Sequence, residues 1–195
     1  LAQLLTKQRQ ESAKQIVKDI TSSLCQLEIP ENKFEIRIDR TAELTAQGAD
    51  KVTFLFSANK NMMPRPIAEV ASGGEIARVM LALKALMGTR TSMPTIIFDE
   101  IDTGVSGRVS DAMARMMKQM SSRQGQQVIA ITHLPQIAAQ GEHHLFVYKE
   151  NTDEQTLSHI RTLTEKERIT EVAHMLSGSD ITQAAIENAK QLLGK

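Results

Sequence analysis

The sequence predicts an α/β fold with a mostly parallel core sheet, and three observations carry that prediction. Thr95, Ile96, Ile97 and Phe98 form a short apolar run, the pattern of a strand covered on both faces. Val128 to Ile131 form a second such run. Between them, Ser106 to Met120 reads as a helix, with Met113, Met116, Met117 and Met120 recurring at i, i+3, i+4 and i+7. Strand, helix, strand with so long a connection places the two strands side by side and parallel, crossed right-handedly. Parallel neighbours share a carboxyl edge. Asp99 and Glu100, which follow the first strand, and His133, which follows the second, are therefore expected on one rim.

The other elements follow in chain order. Residues 1–27 read as one helix, with Leu5, Ile16, Val17, Ile20, Leu24 and Leu27 at broadly helical spacing and no Gly or Pro. This is either a packing helix or the end of a coiled coil whose partner strand is elsewhere. After Pro30, Phe34, Ile36 and Ile38 alternate with charged residues, as do Val52, Phe54 and Phe56. Two half-buried antiparallel strands are expected there, with the turn at Gly48 to Asp50. Asn59 to Pro66 reads as a loop. Glu75 to Met87 is an amphipathic helix closed by Gly88. Leu145 to Lys149 and Thr156 to Arg161 read as strands around a polar hairpin at Asn151 to Glu154. Thr164 with Glu167 makes a capping box for a helix through Leu176, and Asp180 caps a last helix ending at Leu193. The methionine stripe is core filler rather than a cofactor site.

Composition excludes several function classes. The 195 residues carry 23 Lys plus Arg and 23 Asp plus Glu, so no whole-chain basic field advertises nucleic acid. With 3% aromatic residues and no Trp, a base-stacking platform is not expected. The single cysteine, Cys25, makes no internal disulfide and reads as a small packing residue. No apolar run approaches the ~18 residues of a membrane span. The chain opens on Leu1 rather than Met, which predicts a piece of a longer protein.

The chemistry is expected at the rim. A hydrophobic strand followed at once by adjacent acids has the layout of a Walker B element: the first Asp helps hold Mg²⁺ and a neighbouring acid orients or deprotonates water for phosphoryl transfer. A His on the same rim is suited to donating hydrogen bonds to phosphate oxygens. Ser72-Gly73-Gly74-Glu75 opens the helix before this unit. Ser72 and Glu75 could form a capping box by themselves. The two glycines, however, cost about 1 kcal/mol each against Ala, and bare N–H groups at a helix start suit close approach of an anion. Gly104-Val105-Ser106-Gly107-Arg108 resembles a nucleophile elbow but has Arg where the last Gly is needed. The pattern G-x-x-x-x-G-K-[ST] occurs nowhere. The chain thus has hydrolytic groups without the loop that cradles phosphates, as the second half of a split nucleotidase has.

On these residues the chain resembles ABC-type ATPases. Ala71-Ser72-Gly73-Gly74-Glu75 is similar to their signature sequence, TIIFDEID at 95–102 to their Walker B, and Ile131-Thr132-His133 to their switch histidine. More narrowly, ASGGEIARVMLALK, TIIFDEIDTGVSGRV and ITHLPQIAA resemble the C-terminal head segment of the RecN family, SMC-like proteins of DNA double-strand-break repair. The resemblance implies an α/β P-loop NTPase head of ABC/SMC type. Residues 1–27 would be the coiled-coil-proximal helix and residues 28–195 the C-terminal lobe. It implies ATP and Mg²⁺ as cofactors, with Asp99 serving the metal, Glu100 polarising the attacking water and His133 contacting the γ-phosphate. Ser72, Gly73, Gly74 and Glu75 would belong to the signature that binds the nucleotide of an opposing head, and Asp102 and Gly104 to the loop crossing that interface. Where many ABC members have S-A-L-D, this chain has Thr103-Gly104-Val105-Ser106, which withholds the role of the usual aspartate; Ala71 and Glu75 fit the SMC-like branch. The implied partners are an N-terminal head segment carrying Walker A, a second head in a homodimer, and DNA, with no membrane and a cytoplasmic, nucleoid-associated location. Alone, the chain is expected to be inactive. The rival readings are a transporter ATPase subunit and a non-enzymatic interaction module.

Overall fold

The computed structural model describes residues 1–69, 72–91, 93–151 and 155–195. Helix α1 (Ala2–Gln26) leads into a meander of β1 (Lys33–Thr45), β2 (Gly48–Ser57) and the two-residue β3 (Arg65–Pro66). A 3₁₀ turn, Ile67–Glu69, precedes α2 (Gly73–Arg90). The central unit is β4 (Thr95–Asp99), α3 (Arg108–Gln124) and β5 (Gln127–Ile131), followed by the short α4 (Pro135–Gln140). A hairpin of β6 (Leu145–Asn151) and β7 (Thr156–Thr162) and two helices, α5 (Glu165–Ser177) and α6 (Gln183–Leu192), complete the chain.

β4 and β5 pair in parallel, Thr95 opposite Gln127 through Asp99 opposite Ile131, as the strand-helix-strand spacing predicts. β1 and β2 are antiparallel, with Phe34 opposite Phe56 and Ile36 opposite Phe54. β6 and β7 are antiparallel from Leu145 opposite Thr162 to Asn151 opposite Thr156. Of the hairpin tip expected at Asn151 to Glu154, residues 152–154 lie outside the described residues.

The main core joins the last turns of α1 to the central unit. Ile20, Leu24 and Leu27 pack in one cluster with Phe34, Phe56, Val79, Leu81, Ile96, Phe98 and Met113. Met113, Met116, Met117 and Met120 are all buried there, so the stripe on α3 is core, each side chain contributing about 1.5–3 kcal/mol by leaving water. A smaller cluster of Ala139, Val172, Ala173, Ala185 and Ala189 holds α4, α5 and α6 together. The outer half of α1 is tied differently. Asp50, which lies within β2 rather than in a turn, accepts hydrogen bonds from Arg9 Nη1 at 2.9 Å and Thr6 Oγ1 at 2.8 Å. Arg9, then Thr6, hold its carboxyl below the usual range.

Further local expectations are corrected. Cys25, expected as a packing residue, is exposed, and Arg65–Pro66, at the end of the expected loop, pair with β2. The apolar run of β4 is covered on one face only: Ile96 and Phe98 are buried, while Ile97 is 62% exposed. Helix α2 runs through Gly88 to Arg90, because one glycine costs less than abandoning the following hydrogen bonds, and Thr91 N–H closes it on Met87 C=O at 2.8 Å. Ser72 is the N-cap residue, but its side chain makes no capping bond, so no capping box forms at Ser72 and Glu75. The last helix is capped by Thr182, whose Oγ1 accepts from Ala185 N–H at 3.1 Å, rather than by Asp180.

The capping box at Thr164 and Glu167 forms as expected. The Thr164 N–H, then its hydroxyl, then Arg161, donate to the Glu167 carboxylate and pull its pKa down to about 2. This stabilisation is complete above about 4.5, the ordinary value, and is lost as pH falls toward about 2. In Glu167→Gln the acid limb of the stability–pH curve is therefore expected to flatten across that window. A second prediction concerns Arg78, whose Nη1 donates to the C=O of Leu27 at 3.0 Å and of Glu28 at 3.2 Å, while Nε donates to Gly74 C=O at 3.1 Å. These bonds staple the end of α1 to the start of α2. Arg78→Met is expected to lower stability by about 1–3 kcal/mol in urea denaturation; an unchanged midpoint would remove the staple from the account.

Candidate functional site

The site is built at the carboxyl edge of the parallel pair. At the end of β4 the chain turns sharply through Glu100, whose φ of 48° lies in the left-handed region that non-glycine residues seldom occupy. Backbone strain of this kind persists where neighbours over-determine it. Here Glu100 N–H donates to Ile131 C=O at 3.0 Å, and Glu100 C=O accepts from Thr103 N–H at 3.3 Å and Thr103 Oγ1 at 3.0 Å. The first of these bonds also ties the two strand ends together. Asp99 and Glu100 are left solvent-exposed, carboxylates with no ion pair within the described residues.

Residues from α2 reach the same place. Gly73, Ile76, Met80, Ile97, Asp99 and Glu100 line one groove of about 410 Å³. The start of α2 thus faces the acid pair across a floor that is largely apolar. Among the described residues a Cβ on Gly73 would meet nothing within 4 Å, whereas one on Gly74 would lie 3.1 Å from Gly104 C=O and 3.7 Å from Val105 Cγ2. The second glycine therefore sits at a close approach between α2 and the loop after Glu100, where a side chain would make the loop shift by a few tenths of an ångström. The first leaves backbone open at a helix N-terminus, with the Ser72 hydroxyl uncommitted to capping. Such a terminus suits an anion. Ala71 lies outside the described residues. Glu75 is half-buried in the first turn of α2.

His133 sits beyond β5 on the same rim, its side chain 64% exposed. Among the described residues the carboxylate it lies beside is neither Asp99 nor Glu100 but Asp102. Asp102 was expected to face nucleotide from the interface loop, yet it is 0% exposed and turned inward. One oxygen, Oδ2, accepts from the Thr132 hydroxyl. That hydroxyl in turn accepts from Leu134 N–H at 2.9 Å. Gly104 has a φ of 75° and an exposed backbone. The structure thus brings Gly73, Asp99 and Glu100 to one groove and sets His133 beside Asp102. Thr103 and Thr132, which hold the turn and the rim, were not singled out from sequence; the threonine directly before His133 was the available signal.

Asp99 offers hard oxygen donors at a strand end, which suits Mg²⁺. Among the described residues no group of three or more His, Cys, Asp or Glu is set to hold a metal by itself. Mg²⁺ commonly takes one or two carboxylates plus substrate phosphates, so this donor set fits a phosphate-bridged ion rather than a closed protein cage.

No family model matches the chain. It is 37% identical over 98% of its length to DNA repair protein RecN of Haemophilus influenzae, and 38% identical over 97% to that of Halalkalibacterium halodurans. Against the Bacillus subtilis RecN it is 43% identical over 151 residues. In sequence this is a RecN-like chain. It spans only about a third of the curated relatives it matches, 34% of the first two. Among solved structures, the RecN-like chain superposes on an Smc head domain with a coiled coil and joint from Pyrococcus yayanosii with a TM-score of 0.65 at 18% identity, over 87% of this chain and 30% of that one. A structure from work on ATP-driven dimerization and DNA-stimulated activation of SMC ATPases gives 0.62 at 15%, covering 90% and 99%. The fold is that of an SMC-type head. Among the described residues no helix is long and apolar enough to cross a membrane.

The two glycines of the RecN-like chain are expected to separate by experiment. Gly73→Ala should leave the melting temperature undiminished, since space is open there. Gly74→Ala should displace the 104–105 loop, read as amide shift changes at Gly104 and Val105 larger than those in Gly73→Ala.

Proposed function

We propose that this chain is the C-terminal lobe of the ATP-binding head of a RecN-like protein of DNA double-strand-break repair and recombination, and that it supplies the hydrolytic half of a split ATPase site. The observation that carries the reading is the parallel rim on which Asp99 and Glu100 end one strand and His133 follows the next. The chain has no phosphate-cradling loop, so an N-terminal segment carrying Walker A completes the pocket. That segment seats against the open face of β4 and β5, where Ile97 and Ile131 are 62% and 51% exposed. Without it the chain neither binds ATP tightly nor hydrolyses it.

In the completed head, Asp99 holds Mg²⁺, which supplies charge stabilisation to the transferring phosphoryl group. Glu100, on its rigid turn, accepts a proton from the attacking water. His133 donates to a phosphate oxygen. Ser72, Gly73 and Gly74 present the open N-terminus of α2 to the nucleotide of a second, identical head, with Glu75 in the same turn and Gly104 on the loop beside it. α1 is the root of a coiled coil, and closing and opening of two heads changes how the protein holds DNA in the cytoplasm. The RecN relatives and the SMC-type fold support this reading.

The test is phosphate release by this chain mixed with the N-terminal segment and by the complete protein. Glu100→Gln is expected to slow turnover by about a hundred- to ten-thousand-fold while ATP still binds. Wild-type turnover in that variant would take the general-base role from Glu100, and absence of ATPase activity in the complete protein would overturn the assignment as a whole.

A further inference from the structure

Asp102 is a buried carboxylate with one oxygen satisfied and one waiting. Oδ2 is held by Thr132, but Oδ1, also buried, accepts no hydrogen bond from the described residues. A buried acceptor left so costs free energy, and such an atom in a functional rim calls for an explanation. Nδ1 of His133 lies 3.8 Å from this oxygen, too far for a hydrogen bond but within reach of a small rotation of the ring.

We infer that Asp102 is a positioning residue for His133: its free Oδ1 takes the Nδ1–H and fixes which ring nitrogen is turned toward the nucleotide. This rests on the proposed reading of His133 as the imidazole that meets phosphate. A histidine has two nitrogens, and the partner of one sets the tautomer and direction of the other. With Nδ1–H committed to Asp102, Nε2 is the free nitrogen, and it donates to an anion when the ring carries its second proton. The loop supplies rigidity. Asp102 C=O accepts from Val105 N–H at 3.1 Å, and Thr132 links the carboxylate to the backbone at Leu134. The carboxylate is therefore held from β5's end as well as its own loop, and the imidazole, 64% exposed, has open space in which to turn toward it.

The asparagine variant is informative because of Thr132. Its hydroxyl already accepts from Leu134 N–H and donates to residue 102. In Asp102→Asn the amide oxygen stays on that hydroxyl, so the amide nitrogen, a donor, faces Nδ1. The ring is then pushed to the opposite tautomer.

The experiment reads the ¹⁵N shifts of the His133 ring in the chain, at a pH where the ring is neutral, together with kcat and KM for ATP in the complete protein. The wild type is expected to favour the Nδ1–H form and Asp102→Asn the Nε2–H form. In the complete protein kcat is expected to fall by about ten- to a hundredfold with KM little changed. Asp102→Ala, which leaves no acceptor, is expected to lose the Nδ1–H preference too, and serves if the asparagine variant misfolds. Identical tautomers in wild type and variants would overturn the inference. His133→Ala turning over at the wild-type rate would instead sink the phosphate reading of His133, leaving the ring shifts to decide the positioning role alone.

Discussion

One hydrogen bond does much to define this molecule, that from Glu100 N–H to Ile131 C=O. It is the last rung between two parallel strands, made one residue beyond the ladder of β4, and it forces the chain to leave the sheet at Glu100 in a left-handed conformation. A parallel pair puts both carboxyl ends on one edge by geometry alone. The extra rung does more, because it fixes the acid pair's backbone to the segment that carries His133. A residue at φ of 48° costs free energy wherever it occurs. Thr103, donating twice to Glu100 C=O, offsets part of that cost and makes the turn a rigid mount rather than a flexible link.

From that mount a continuous line of contacts runs back to the first helix. Asp102 and Thr132 join the turn to the end of β5. The loop after Asp102 brings Gly104 C=O against Gly74, at a separation that only a missing side chain permits without adjustment. Gly74 C=O accepts from Arg78, whose other nitrogen holds the C=O groups of Leu27 and Glu28 at the end of α1. The links are polar groups or close backbone approaches, not loose aliphatic contacts. The end of α1 and the rim are therefore parts of one framework, although in sequence residues 1–27 read equally as a packing helix or as the end of a coiled coil. Its last turns are as deeply buried as the centre of α3.

The parallel pair, the methionine core, the antiparallel pair of β1 and β2 and the capping box at Thr164 were legible because each depends on local pattern: β-branched runs, helical spacing, alternation, and a Thr three residues before a Glu. The candidate site was legible to the level of which residues share a rim. It was not legible where the outcome depended on what sits opposite. Ser72 and Glu75 have the spacing of a capping box, yet the Ser72 side chain does not cap the helix, because spacing permits a bond without requiring the rotamer. Asp102 is one of several acids in a polar turn, and nothing in its neighbours says that it alone turns inward to meet a threonine thirty residues away. Arg78 reads as a polar position on a helix; its partners are the carbonyl groups at the far end of α1.

The apolar run of β4 carries the last step. Thr95 to Phe98 does not alternate, which is the sequence of a strand that expects apolar neighbours on both sides. Only Ile96 and Phe98 find them. On the other side Ile97, Ile129 and Ile131 lie open along the pair, and on the hairpin Val147 and Ile160, directly opposite each other, do the same. Fully burying an isoleucine contributes about 1.5–3 kcal/mol, so covering the three on the parallel pair is worth several kcal/mol. That is enough to matter in holding two pieces of chain together. The sequence of β4 states a demand for two layers, and the described residues supply one. On the reading proposed above, the segment that brings the phosphate loop would also supply this second layer, because the open isoleucines lie on the strands whose carboxyl ends carry the acid pair and His133.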